Sequence, residues 1–266
     1  MVGKTASCAA MALTVGAYAW PEQAHAVAVA AVVGLTAVSC AGIQKSALLT
    51  RVIVAVVLAV LAAVVVAAWT SGSADAARLD ADSDTTVGGV LQAAGLLFFA
   101  FAGYARIATL GEEFRDPART IPRAVPIALG ITLVVYAAVA VSVLAVLGSD
   151  GLARAAAPLV ETVRVAGVGR LAPVVQAGAA IAALGSLLAL ILGVSRTVLA
   201  MARDRHLPHA LAAVHPKSQV PRHAELAVGS VVAVLAATAD LRGAIGFSSF
   251  GVLLYYAVRR ATADRP

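Results

Sequence analysis

The sequence predicts an all-α polytopic membrane protein with about eight transmembrane segments. Three observations carry this. The mean hydropathy is +0.92 and 61% of the 266 residues are hydrophobic. Only 13% are charged, about half the share of a soluble domain. The apolar residues, mostly Ala, Val and Leu, come in runs of about 18–25, enough to cross a bilayer core of about 30 Å at about 1.5 Å per residue.

The first run, Thr5–Trp20, is short and holds Cys8. Ala26–Ile43 holds Cys40, and Leu49–Trp69 has Arg51 near its start. Val87–Leu110 holds an aromatic and glycine cluster and, inside the span, Arg106. Val125–Leu147 follows a charged loop with Pro117 and Pro122, which predict a stiff turn and a helix start at Ile121–Arg123. Leu171–Ala202 ends at Arg203, Arg205 and Pro208, basic anchors and a helix stop. Ala224–Ala239 and Arg242–Val258 complete the set. Gly and Pro inside several runs suit membrane helices better than soluble ones. Asp75–Thr86 and Gly148–Arg170 are the longer connections, and Leu152–Gly167 could hold an amphipathic surface helix with Leu159, Val163 and Ala166 on one side. The chain reads as one integral domain over residues 1–266.

The net charge of +6 does not indicate nucleic acid, because the basic residues sit in short loops and form no continuous patch. With the N-terminus inside, fourteen basic residues fall on the cytoplasmic side and five outside. That bias selects a multi-pass protein of the cytoplasmic membrane with both termini cytoplasmic. Lys4 is followed by an apolar run with no convincing cleavage site. The two cysteines lack metal spacing and read as buried thiols.

The segment Phe99-Ala100-Phe101-Ala102-Gly103-Tyr104 is the candidate substrate site. Gly103 lowers the cost of leaving helical geometry. A helix broken at mid-membrane frees N–H groups for a carboxylate and carbonyls for an ammonium, and an amino acid carries both. The aromatics would then cover the bound molecule or form part of a gate. The same small residues equally serve close helix packing. Arg106 either snorkels to the surface or takes part in a gate. Ser248 and Ser249 either line the path or bond between helices. His206 and His209, three apart, could hold a metal, yet loop histidines without acidic or Cys neighbours are usually solvated. No nucleophile elbow, phosphate loop or zinc-helix motif is present, so no catalytic residue, metal or cofactor is expected. An intramembrane enzyme would need a polar pair on facing spans, and the sequence makes none evident.

The run Leu96–Arg123, LLFFAFAGYARIATLGEEFRDPARTIPR, resembles the sixth helix and following cytoplasmic loop of the amino acid/polyamine/organocation (APC) family of permeases. Its loop reads Glu113-Phe-Arg-Asp-Pro-Ala-Arg-Thr-Ile-Pro122 against a family signature of acidic-x-basic-Asn/Asp-Pro-x-Arg-x-Ile-Pro. The stretch from Ser195 to Pro208 looks like the eighth helix with its Ala-Arg-Asp-x-x-Leu-Pro ending. Gly246–Tyr256 resembles the tenth helix, Gly3–Thr14 half of the third, and Lys45–Ala68 the fifth. Some members carry an intramembrane lysine on the fifth helix, and the matching position here, near Val57, is apolar.

The resemblance implies a LeuT-like inverted-repeat fold, with residues 1–70 left from the first repeat and 86–258 forming the second. It implies that helices one and two, and those after ten, are absent from this stretch. The expected function is a secondary transporter of amino acids or organic amines, in truncated form. The alternative is a non-transporting remnant or an interaction subunit. The expected partners are a small-molecule substrate, the bilayer, and an oligomer or helix partner for the uncovered helix faces.

Overall fold

The computed structural model describes residues 1–41, 47–79, 86–101, 103, 117–215 and 220–263. Among them the regular structure is helical, and each of the eight predicted runs holds a helix: α1 (Val2–Ala19), α2 (Ala24–Cys40), α3 (Ala47–Thr70), α4 (Val87–Phe101), α5 (Pro117–Arg154), α7 (Ala172–Arg203), α8 (Arg222–Thr238) and α9 (Leu241–Ala263). A ninth and shorter one, α6 (Pro158–Val165), falls in the predicted surface segment. Five of these helices are long and apolar enough to cross a membrane: α2, α3, α5, α7 and α9. The loop Glu112–Asp116 lies outside the described residues.

The chain divides into two compact units, residues 1–60 with 173–266, and residues 61–172. In the first, four helices share a core. Leu187, Ile191, Val194 and Val198 of α7 recur at helical spacing and meet Cys8, Ala12 and Leu13 of α1. Ala28 and Val32 of α2, with Ala224, Val228, Val232 and Ala236 of α8, close the cluster. So many alanines at the contact let backbones approach closely, which is how helices associate where lipid removes the hydrophobic drive. Gly3 of α1 lies against the Ser248 carbonyl and Gly251 of α9, and a Cβ there would sit 3.1 Å from that oxygen. A Cβ on Gly229 of α8 would stand 2.5 Å from Thr36 Oγ1 of α2. One on Gly16 would overlap the Ala24 backbone at the α1–α2 turn.

In the second unit, polar contacts tie loops to helix ends. Trp69 donates its indole N–H to Ser142 Oγ at 2.9 Å. α5 is interrupted at Gly148, whose φ of 69° and ψ of 175° only glycine adopts freely. The carbonyls freed there are taken up: Asp75 N–H donates to Ala145 O at 3.0 Å. The Arg78 guanidinium donates to the carbonyls of Ala145 and Val146. Ser73 Oγ reaches the Val165 carbonyl of α6 at 3.4 Å.

One expectation needs correction. α5 is helical from Pro117, ahead of Ile121–Arg123, so Pro122 and Pro126 lie inside it. Proline fits a first helical position, and membrane helices tolerate the hydrogen bonds it removes further in. Of the residues expected on one side of the surface segment, Val163 and Ala166 are buried and Leu159 half-buried, and Val160 and Thr162 are buried with them.

Candidate functional site

The described part of α4 has 15 residues, about 22 Å of helix. It is described to Phe101, and Gly103 beyond it stands in a turn with open space where a Cβ would project. Phe99 is half-buried and Ala100 exposed. The Phe101 ring meets Tyr136 of α5 edge to face, with centroids 5.3 Å apart and planes at 62°. Such a pair is worth about 0.5–1.5 kcal/mol beyond burial and holds the end of α4 to α5. Ala102, Tyr104 and Arg106 lie outside the described residues.

In the other unit, Ser248 is buried on α9 and its hydroxyl pairs with Ser7 of α1 at 2.6 Å. Ser7 in turn donates to, or shares, the Gly3 carbonyl at 3.1 Å. Ser249 beside it is buried too, and its Oγ has no hydrogen-bond partner among the described residues. Ser195 of α7 is a second buried hydroxyl left without one there. A hydroxyl of this kind, held inside an apolar bundle, is free to take a polar group of a passing solute or a water.

The sequence missed the polar partners. It made no facing polar pair evident, and the first unit contains two. One is Ser7 with Ser248. The other is Ser39 of α2, which donates to Glu225 Oε1 of α8 at 2.8 Å. Glu225 is 1% exposed, and the neighbouring Cys40 thiol also hydrogen-bonds to its carboxylate. One turn earlier, Arg222 donates Nε–H to the Cys40 carbonyl at 3.2 Å. Two consecutive residues at the end of α2 are thus held by two residues in the first turn of α8. An acidic residue at the start of an apolar run was the only available signal. Tyr136, the one aromatic residue of its apolar run, was the signal for the contact with Phe101.

No group of three or more His, Cys, Asp or Glu side chains is placed to hold a metal among the described residues. His206 and His209 are both exposed.

Residues 2–259 match a protein family described as amino acid permease. The chain belongs to that family. The family is of the APC type, and with its apolar helices the chain is a multi-pass membrane protein. An uncharacterized transporter of Mycobacterium tuberculosis is 78% identical over 263 residues, 99% of this chain and 60% of the relative. A chloroplastic cationic amino acid transporter of Arabidopsis thaliana is 29% identical over 247 residues, 90% of this chain and 42% of the relative. A branched-chain amino acid permease of Bacillus subtilis is 30% identical over 154 residues, 58% of this chain and 33% of the relative. The chain therefore spans 60% of the length of its mycobacterial relatives.

Proposed function

We propose that this permease chain carries an amino acid or related organic amine across the cytoplasmic membrane by secondary transport. In this reading Phe99, Ala100, Phe101, Ala102, Gly103 and Tyr104 form the substrate site. Gly103 in a turn, two residues beyond the described part of α4, is the observation that carries it. A helix that stops short within the bilayer leaves carbonyls without intrahelical partners, and these suit an ammonium group. Ser248, Ser249 and Arg106 belong to the path or its gate. Residues 1–70 and 86–258 belong to two inverted repeats that rock against each other around the site. Both termini face the cytoplasm, on the fourteen-to-five distribution of basic residues. The names of two relatives, a cationic amino acid transporter and a branched-chain amino acid permease, support amino acids as the substrate class.

The test is uptake of a mixed set of radiolabelled amino acids into proteoliposomes, for the wild-type chain and for Gly103→Leu. A Cβ at position 103 meets no atom within 4 Å, so the first carbon of the new side chain brings no clash, and loss of uptake in a folded variant would report on this segment. Saturable uptake in wild type, reduced at least tenfold in the variant, is expected. Equal uptake by both would remove the site from this segment. No uptake from correctly inserted wild type would favour the non-transporting alternative.

A further inference from the structure

α7 ends on a residue that its own backbone does not favour. His206 N–H reaches back to the Met201 carbonyl at 2.9 Å, and Arg205 N–H to the Ala202 carbonyl at 3.3 Å. This pair of bonds closes a helix through one left-handed residue, a place usually given to glycine. Here it is Arg205, with φ of 60°, the one non-glycine residue of positive φ among those described. A Cβ in that conformation is strained, so the side chain is retained against a local cost.

The surroundings indicate what the side chain meets. Leu207 and Leu211 turn inward and pack against the four-helix core. Arg203, Arg205, His206 and His209 are exposed on the same short stretch, and His223 is exposed at the start of α8. Asp204 is the one acidic residue in this stretch, and it is exposed. Neither Arg203 nor Arg205 forms an ion pair or a side-chain hydrogen bond among the described residues. Arg222, by contrast, is already engaged with the Cys40 carbonyl. The span Gly169–Arg203 has a mean hydropathy of 2.3, so its last residue sits where apolar chain gives way to headgroups.

We propose that the C-terminal end of α7 seats an anionic phospholipid, with Arg203 and Arg205 holding its phosphate. A guanidinium offers a planar pair of donors to phosphate oxygens, which glycine at the same place could not supply. The position at the end of a membrane span selects a lipid phosphate over a dissolved one, because the lipid delivers its phosphate at that depth. The proposal rests on the membrane embedding of α7 and not on transport.

The experiment is thermal unfolding of the whole chain in nanodiscs of phosphatidylcholine, with and without phosphatidylglycerol, for wild type, Arg205→Gly and Arg205→Lys. In phosphatidylcholine alone, Arg205→Gly is expected to melt about 2–4 °C above wild type, because the strain is gone. Phosphatidylglycerol is expected to raise wild type and Arg205→Lys, and to leave Arg205→Gly nearly unmoved. Equal rises in all three would mean a general surface effect and overturn the proposal. So would no rise in wild type, or no gain for Arg205→Gly in phosphatidylcholine. If dissolved glycerol phosphate reproduces the rise in phosphatidylcholine discs, the site is for a soluble phosphate and the lipid assignment is overturned.

Discussion

At the scale of single residues, the first unit is held by small side chains and a few buried hydroxyls. Gly229→Val would drive a side chain into Thr36, with 2.5 Å available to the first added carbon. A loss of about 1–3 kcal/mol is expected, read as a lower melting temperature in nanodiscs. Ser39→Ala would leave the buried Glu225 carboxyl without its one hydroxyl donor. The expected cost is about 1–3 kcal/mol by the same measurement, whereas Ser230→Ala, at an exposed position of α8, serves as the control. The Ser7–Ser248 pair should be weaker than its 2.6 Å separation suggests. A double-mutant cycle with alanine is expected to give a coupling of about 0.6 kcal/mol, the average for interhelical hydrogen bonds in membranes. These residues show the limit of what the sequence discloses. Ser39 and Glu225 are 186 positions apart, and no period or motif joins them. The candidate segment at Phe99–Tyr104 was legible because its residue types cluster in one stretch.

At the scale of elements, hydropathy located every long helix, since each membrane span must carry its own apolar run. What it could not give was the behaviour of backbone within a run. Pro122 looked like a helix start and is an interior residue. The predicted end of the fifth run at Leu147, however, falls next to the interruption at Gly148. Gly148→Ala would force a Cβ into φ of 69° with ψ of 175°, at about 1–3 kcal/mol. Arg78→Met should loosen the same junction by removing the donor to the Ala145 and Val146 carbonyls. Hydrogen exchange at residues 145–154 would register both, and an unchanged pattern in Gly148→Ala would refute the strain argument.

At the scale of the whole molecule, topology is the property that composition speaks to most directly. In a Cys8→Ala, Cys40→Ala background, single cysteines replacing Arg164 and Arg259 should label from opposite sides of the membrane. Labelling of both from one side would reverse the charge argument that places both termini inside. The family match places the chain among the amino acid permeases, while transport and its cargo are what the uptake experiment reads.

The hydroxyl bridge between Ser7 and Ser248 has a consequence for biosynthesis. The two residues are 241 positions apart. At a synthesis rate of about 5–20 residues per second, α1 waits about 12–48 s for the helix that completes its polar face. During that interval Ser7 still has the Gly3 carbonyl of its own helix at 3.1 Å. The early helix can therefore rest in lipid with its hydroxyl satisfied, and add the distant partner to that internal bond only when translation delivers it.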